Sequence, residues 1–198
     1  GLARMNKQTG TCQDATSLLQ GNLNAGKPKV SCIIEDKNKN LWVGTYGSGL
    51  YKINLPTQHV TYYESTRNEN DDWSINRLPN DWISYLLEDK EGMIWIGTYK
   101  GLAVLNPQTD NFINYKKQNN LLPGYVVYSL LESSNGEIWA GTSEGLVCLN
   151  KDRLTPVLFT TADGLPSDII CGLAEDEKKN IWISTHQGIS KLNPPEKK

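Results

Sequence analysis

ISYLLEDKEGMIWIGTYKGLAVLN, residues 83–106, holds three short runs of apolar and β-branched residues separated by a polar turn and by a glycine. Runs of that length and composition read as strands, and the punctuation between them reads as hairpin turns. The same pattern recurs as VSCIIEDKNKNLWVGTYGSGLYKIN from Val30, VYSLLESSNGEIWAGTSEGLVCLN from Val127 and ICGLAEDEKKNIWISTHQGISKLN from Ile170. The copies align on Trp42, Trp95, Trp139 and Trp182, at spacings of 53, 44 and 43 residues. A partial fifth copy opens the chain, where GLARMNKQTG echoes the GLAVLNPQTD that begins at Gly101.

Each unit divides into four strands, here A to D. In the second, A is expected at Ile83–Glu88, B at Met93–Thr98, C at Leu102–Asn106 and D at Asn111–Lys116. The A–B turn carries Asp89-Lys90-Glu91-Gly92 or Ser133-Ser134-Asn135-Gly136, residue types suited to tight turns. The B–C turn carries Gly47, Gly101, Gly145 or Gly188. The D–A crossover carries Leu78-Pro79, Leu122-Pro123 or Leu165-Pro166, and a proline without an amide hydrogen suits a crossover better than a central strand. Four-stranded units of roughly 40 to 45 residues are blade-sized, and such sheets stack radially because none can bury both faces alone. The fold expected is therefore all-β, a β-propeller of about four to five four-stranded antiparallel blades. The units are placed at 1–29 (partial), 30–82, 83–126, 127–169 and 170–198 (partial), in one domain that is an incomplete arc of a larger propeller. The aligned tryptophans are structural, packed between neighbouring blades, and Thr45, Thr98, Thr142 and Thr185 are hydrogen-bonding hydroxyls rather than nucleophiles.

These residues resemble the two-component regulator propeller repeat, whose pattern runs approximately I-x-x-I-x-E-D-x-x-G-x-L-W-I-G-T-x-x-G-L. Residues 83–102 match it almost throughout, with departures at Lys39 and Lys179 for the turn glycine, Ser133 for the aspartate and Ser184 for the glycine after strand B. The resemblance implies a periplasmic sensor region of large hybrid histidine kinases that helps detect an oligosaccharide and passes the signal through the membrane. The signalling domains and remaining blades would belong to a longer parent chain. An arc also leaves two blade faces open, which the opening C–D strands could complete as a small ring, or two arcs could cover by pairing as a homodimer.

Composition narrows the partners. With a formal charge of -2 and a pI near 5.7, the chain has no basic field for a phosphate backbone or an anionic lipid surface, so nucleic acid is not expected. No stretch approaches the roughly 18 apolar residues of a membrane helix, so no membrane contact by this segment is expected. Cys12, Cys32, Cys148 and Cys171 show no C-x-x-C spacing. Three of them fall in expected strands, where a cysteine reads as a small buried hydrophobe, and nothing selects a disulfide pairing. With only His59 and His186, no histidine metal site or cofactor is expected.

Binding chemistry on propellers concentrates in the B–C and D–A loops around one mouth of the central channel. The B–C loops contribute Tyr46, Tyr99, Lys100, Ser143, Glu144, His186 and Gln187, while the long D–A loop at 64–81 holds Trp73 and Arg77. Sugar rings need an aromatic face flanked by hydrogen-bonding groups, so the ligand-binding candidates are Tyr46, Trp73, Arg77, Tyr99, Lys100, Glu144, His186 and Gln187. Each also has a bland reading as a solvated loop residue. The segment Gly141-Thr142-Ser143-Glu144-Gly145 satisfies G-x-S-x-G, but a strand rather than a helix follows. Glu35, Glu88, Glu132 and Glu175 recur once per unit at the end of strand A, a structural rather than a catalytic distribution. A non-catalytic sensor module is the reading preferred; the alternatives are a polysaccharide lyase or glycosidase and a purely architectural scaffold.

Overall fold

A computed structural model describes residues 1–19, 28–65, 76–115, 122, 126–150 and 155–193. A hairpin of β1 (Ala3–Met5) and β2 (Cys12–Asp14) is followed by three four-stranded sheets. The first holds β3 (Val30–Glu35), β4 (Asn40–Thr45), β5 (Leu50–Asn54) and β6 (Val60–Tyr63). The second holds β7 (Ile83–Glu88), β8 (Ile94–Thr98), β9 (Gly101–Asn106) and β10 (Asn111–Tyr115). The third holds β11 (Val127–Glu132), β12 (Ile138–Thr142), β13 (Gly145–Leu149) and β14 (Pro156–Phe159). A last sheet has three strands, β15 (Ile170–Glu175), β16 (Ile181–Thr185) and β17 (Gly188–Leu192). Every sheet is an antiparallel meander in chain order, and neighbouring sheets approach through their first strands, as blades do around a propeller axis. The only helical elements among the described residues are 3-10 turns at Thr16–Leu19 and Thr161–Asp163. In the second sheet, β8 begins one residue later than expected, at Ile94, and β9 one earlier, at Gly101; Lys116 lies outside the described residues.

Trp42 shares a buried cluster with Ile83, Leu86, Ile94 and Ile96 of the following sheet, and Trp95 with Val127, Leu130, Ile138 and Ala140. Trp139 does the same with Ile170, Ile181 and Ile183. Trp182 departs from the inter-blade expectation: it is 42% exposed, because no sheet follows it among the described residues. The indole N–H groups need partners once buried. Trp42 donates to Asp36 Oδ2 at 2.8 Å, Trp95 to Asp89 Oδ2 at 2.7 Å and Trp182 to Asp176 Oδ2 at 2.9 Å. In the third sheet Ser133 replaces that aspartate, and Trp139 Nε1 is buried without a hydrogen-bond partner. Burial pushes the Asp36 carboxyl upward, but donors from Asn40, Trp42 and Asn38 outweigh it and leave the pKa lowered.

The recurring glutamates tie each sheet to the one before it. Lys37 N–H donates to Glu88 Oε2 at 3.0 Å, Lys90 N–H to Glu132 Oε2 at 3.0 Å and Ser134 N–H to Glu175 Oε2 at 2.7 Å. Glu35, at the head of the series, instead pairs with Lys39 of its own hairpin at 2.9 Å. The glycine two residues after Trp42, Trp95 and Trp139 marks a close approach. A Cβ on Gly44 would stand 2.7 Å from Ile83, one on Gly97 3.0 Å from Val127 and one on Gly141 2.7 Å from Ile170. Only a bare α-carbon lets the next sheet's inner strand come that near. Lys39 and Lys179 fill the turn position of Gly92 and Gly136 with the same left-handed φ, 64° and 66° against 82° and 81°.

All four cysteines are free thiols, and their burial divides. Cys148 is buried and Cys32 half-buried, as expected of strand cysteines, but Cys171 is exposed on inner strand β15, and Cys12 is exposed in β2. Cys171 stands at the bulge after Ile170, the place Tyr128 takes after Val127 in the third sheet, and both are exposed.

Candidate functional site

The B–C turns are built alike. The threonine ending strand B donates its hydroxyl across the turn: Thr45 to the Gly49 carbonyl, Thr98 to Gly101, Thr142 to Gly145 and Thr185 to Gly188. The residue after it donates its backbone N–H to the last residue of the D–A crossover. Those pairs are Tyr46 to Lys29, Tyr99 to Trp82, Ser143 to Val126 and His186 to Ile169. B–C turns and crossover ends therefore converge on one face at every blade. Side chains of Tyr46, Tyr99, Ser143 and His186 occupy equivalent places there, with Lys100, Glu144 and Gln187 next to them in the turns.

The first of these turns is one residue longer: it carries Gly47, and the glycine bonded by its threonine is Gly49. The extra length receives the crossover: Gly47 and Gly49 N–H both donate to the Asp81 carbonyl, and Tyr46 pairs with Trp82 in an isolated antiparallel bridge. Gly47 has φ 85°, and a Cβ there would lie 3.0 Å from the Trp82 indole nitrogen. Glycine thus admits the indole.

The result is a three-aromatic cluster. Tyr46 and Trp82 lie 6.1 Å apart between ring centroids, Trp82 and Tyr99 5.5 Å, and Tyr46 and Tyr99 6.4 Å, all edge-to-face. Such contacts hold aromatic rings in fixed orientations. All three remain open to solvent, Trp82 at 49%. Tyr85 and Tyr128, on inner strands β7 and β11, are further exposed aromatics.

Of the residues singled out from sequence, Tyr46 and Tyr99 come together, with Lys100 beside them. Glu144, His186 and Gln187 sit in equivalent turns of later blades. Arg77 lies elsewhere: its carbonyl accepts from Asn114 Nδ2, and neighbouring Asn76 bonds to Asp110 and Asn111, which puts this stretch along outer strand β10. Trp73 lies outside the described residues. Trp82, missed from sequence, is the centre of the cluster; its signal was the D-W pair immediately before strand A, matched to the extra residue of the turn it covers.

Little here suits covalent chemistry. Ser143 lies in a strand-to-strand turn with no helix behind it, and the four threonine hydroxyls are committed to turn carbonyls. Burial pushes the Cys148 thiol up to about 12, helped by nearby Glu137, so it stays protonated at neutral pH. Among the described residues no group of three or more His, Cys, Asp or Glu side chains comes together to hold a metal ion. No helix among them is long and apolar enough to cross a membrane.

The sequence pattern of the two component regulator propeller matches this chain four times, at residues 26–47, 77–100, 121–144 and 164–187. Among solved structures, the chain is similar to the extracellular domain of a hybrid two component system from B. thetaiotaomicron. There the identity is 26% and the TM-score 0.78, over 96% of this chain and 24% of that one. This chain therefore spans about a quarter of that relative's length. Virginiamycin B lyase from Staphylococcus aureus shares the fold at 13% identity and TM-score 0.62, over 98% of this chain and 63% of the lyase. A computationally designed protein, Ika4, does so at 14% identity and TM-score 0.57, over 86% of this chain and 94% of the design. No curated protein matches the sequence.

Proposed function

The chain belongs to the two component regulator propeller family, and from that premise we propose that it is a non-catalytic ligand-sensing module of a longer signalling protein, working outside the cytoplasm, in the periplasm. Its ligand is an oligosaccharide, received on the face where B–C turns and crossovers meet. Residues 1–198 act as one arc of repeats whose remaining blades and signalling domains lie in the parent chain.

The observation that carries this reading is the exposed cluster of Tyr46, Trp82 and Tyr99. An indole and two phenols, locked edge to face on a rigid scaffold, offer apolar ring faces for the C–H side of a sugar, and Lys100 and the phenol hydroxyls offer donors for its oxygens. Preorganised aromatics bind at little entropic cost. Glu88, Glu132 and Glu175 are each engaged by a backbone N–H of the preceding sheet, a repeated structural use that supports a binding role over a hydrolytic one.

A glycan array probed with the 198-residue chain tests this. The expected result is a group of related glycans retained by the native chain, with affinity falling at least about tenfold, or 1.4 kcal/mol, in Trp82→Ala and Tyr99→Ala by calorimetry. Absence of any retained glycan, or unchanged affinity in both variants, would overturn it.

A further inference from the structure

On the Trp42 face of the first sheet the side chains form two polar rungs that the other complete sheets do not repeat. Register puts Trp42 opposite Lys52 and Lys52 opposite Thr61, and nearer the A–B turn Asn40 stands opposite Asn54. Residues directly opposite share a face, as do residues two apart along a strand. Asn54 N–H bonds to the His59 carbonyl, which brings His59 to the end of the second rung. The tryptophan rung is apolar elsewhere, with Val104 and Ile113 beside Trp95 and Cys148 and Val157 beside Trp139. Met93 and Glu137 take the place of Asn40 there. Each tryptophan still stacks on an aromatic residue of its fourth strand, Trp42 on Tyr63, Trp95 on Tyr115 and Trp139 on Phe159. The blade therefore does not demand the polar set, which is carried on a common scaffold as a grafted site is.

Asn40, Lys52, Asn54, Thr57, His59 and Thr61 line a cavity of about 320 Å³. That size falls within the range of small-molecule sites, about 300–1,000 Å³. Its acceptors are spent internally. Asn54 Oδ1 accepts from Thr57 N–H at 3.0 Å and from Thr57 Oγ1 at 2.7 Å, Asn40 Oδ1 accepts from Asn54 Nδ2 at 3.0 Å, and Thr57 Oγ1 accepts from His59 N–H at 3.3 Å. Behind them the Asp36 carboxylate is buried and taken up by Asn38, Asn40 and Trp42. The donors are not spent. Lys52 lies along Trp42 with Nζ 5.2 Å from the ring centroid, and gives one ammonium hydrogen to the Pro107 carbonyl of the following sheet at 3.0 Å. Two hydrogens remain on that nitrogen. Lys52 forms no ion pair among the described residues. His59 and Thr61 add a ring N–H and a hydroxyl.

We propose that this cavity binds an oxyanion, the carboxylate or sulfate group of a small hydrophilic molecule. A site with satisfied acceptors and a held ammonium group suits an anion and not a metal ion, which would need oxygen or nitrogen lone pairs. The contact of Lys52 with the Trp42 ring and with Pro107 fixes its ammonium in advance, so little side-chain entropy is lost on binding. Trp42 is completely buried and shows the cavity no ring face, so the occupant is held by its charge and hydroxyls rather than by stacking. The cavity lies where β4 begins and β5 ends, at the opposite end of the blade from Tyr46 and its aromatic cluster. It is a second site, independent of the ligand proposed for that cluster.

The probes are sodium sulfate and sodium glucuronate, titrated separately into the 198-residue chain at an ionic strength held constant with sodium chloride, with glucose as the uncharged control. Amide NMR should show saturable shifts at Lys52, Asn54, His59 and Thr61 with the anions and none with glucose. The anion bound more tightly identifies the source as a sulfate ester or a carboxylate. Lys52→Gln should weaken binding at least about tenfold, the order of one hydrogen bond to a charged group, and Thr61→Glu, which sets a carboxylate in the cavity, should abolish it. Lys52→Arg keeps the charge and should keep binding, which separates loss of charge from loss of the Pro107 contact. Trp82→Ala should leave the anion affinity unchanged, so this site stands or falls apart from the aromatic cluster. Shifts that never saturate, an equal response to glucose, or unaltered affinity in Lys52→Gln would overturn the proposal.

Discussion

The second and third blades have the same strands, the same register and the same stacked pair of indole and ring, yet they treat the indole nitrogen differently. Trp95 donates to Asp89, whereas Trp139 faces Ser133, whose hydroxyl bonds within its own turn to Glu137, and finds no partner. Both indoles are nearly inaccessible all the same. Burial between sheets is therefore what positions the tryptophan, and the aspartate adds a local bond that the fold survives without. The largest test of that division removes the ring. Trp95→Ala should cost about 3–5 kcal/mol in urea unfolding, the usual range for deleting a buried aromatic side chain. Trp182→Ala should cost a small fraction of that, since its ring has solvent on one side. Equal losses at the two sites would mean that the stabilisation comes from the hairpin and not from the packing between blades.

The polar half of the comparison is tested by repair. In the first and last sheets the aspartate is followed four residues later by an asparagine, Asp36 with Asn40 and Asp176 with Asn180, and both carboxylates accept from that amide as well as from the indole. Ser133→Asp alone would set a second carboxylate against Glu137. Combined with Glu137→Asn, it should raise stability by about 1 kcal/mol, the net worth of one buried hydrogen bond, read as a higher urea midpoint at an unchanged slope. Combined with Trp139→Phe, which has no N–H to satisfy, the same pair of changes should gain much less. A gain that is unaffected by Trp139→Phe would assign the effect to the turn.

The architecture was legible because a radial stack repeats its demands. Each blade needs a large apolar side chain at one place and a bare α-carbon two residues on, so Trp42, Trp95 and Trp139 and Gly44, Gly97 and Gly141 recur at blade spacing. The glutamates could be recognised as structural for the same reason. The Asp-to-indole bond was equally visible as a fixed six-residue separation, at 36 and 42, 89 and 95, 176 and 182, and its absence at 133 was visible too. The aromatic cluster was only half legible. Tyr46 and Tyr99 stood out as variable turn residues, but Trp82 sits at the mouth because Gly47 lengthens the neighbouring turn and leaves room over its backbone, a pairing between segments 35 residues apart. A periodic pattern says nothing about such an exception to the period. The exposure of Trp182 was illegible for a related reason, since it depends on a neighbour rather than on its own repeat.

The smallest expected effect separates the last sheet from the first by pH. Donors from the Asn180 amide and the Trp182 indole hold the Asp176 carboxyl down to about 2, from 3.8. A carboxyl lowered on folding favours the native sheet above its unfolded value, and that contribution is lost as protons are taken up between about pH 4 and pH 2. Because Asp176 is open to solvent and no sheet packs on its hairpin's outer side among the described residues, the loss should show as local loosening of β15 and β16 before global unfolding. The protection factors of the Lys178 and Asn180 amides, whose N–H groups both donate to Asp176 Oδ1, should fall across that interval as the pH is lowered. In Asp176→Asn the protection factors of the same amides should stay constant there. The equivalent amides of Asn38 and Asn40 donate to Asp36, and Asp36 and Asn40 are both buried, so their protection should persist to lower pH. If both hairpins loosened together, the blades would be failing as one cooperative body, and the difference between an enclosed and an open tryptophan would carry no weight in acid.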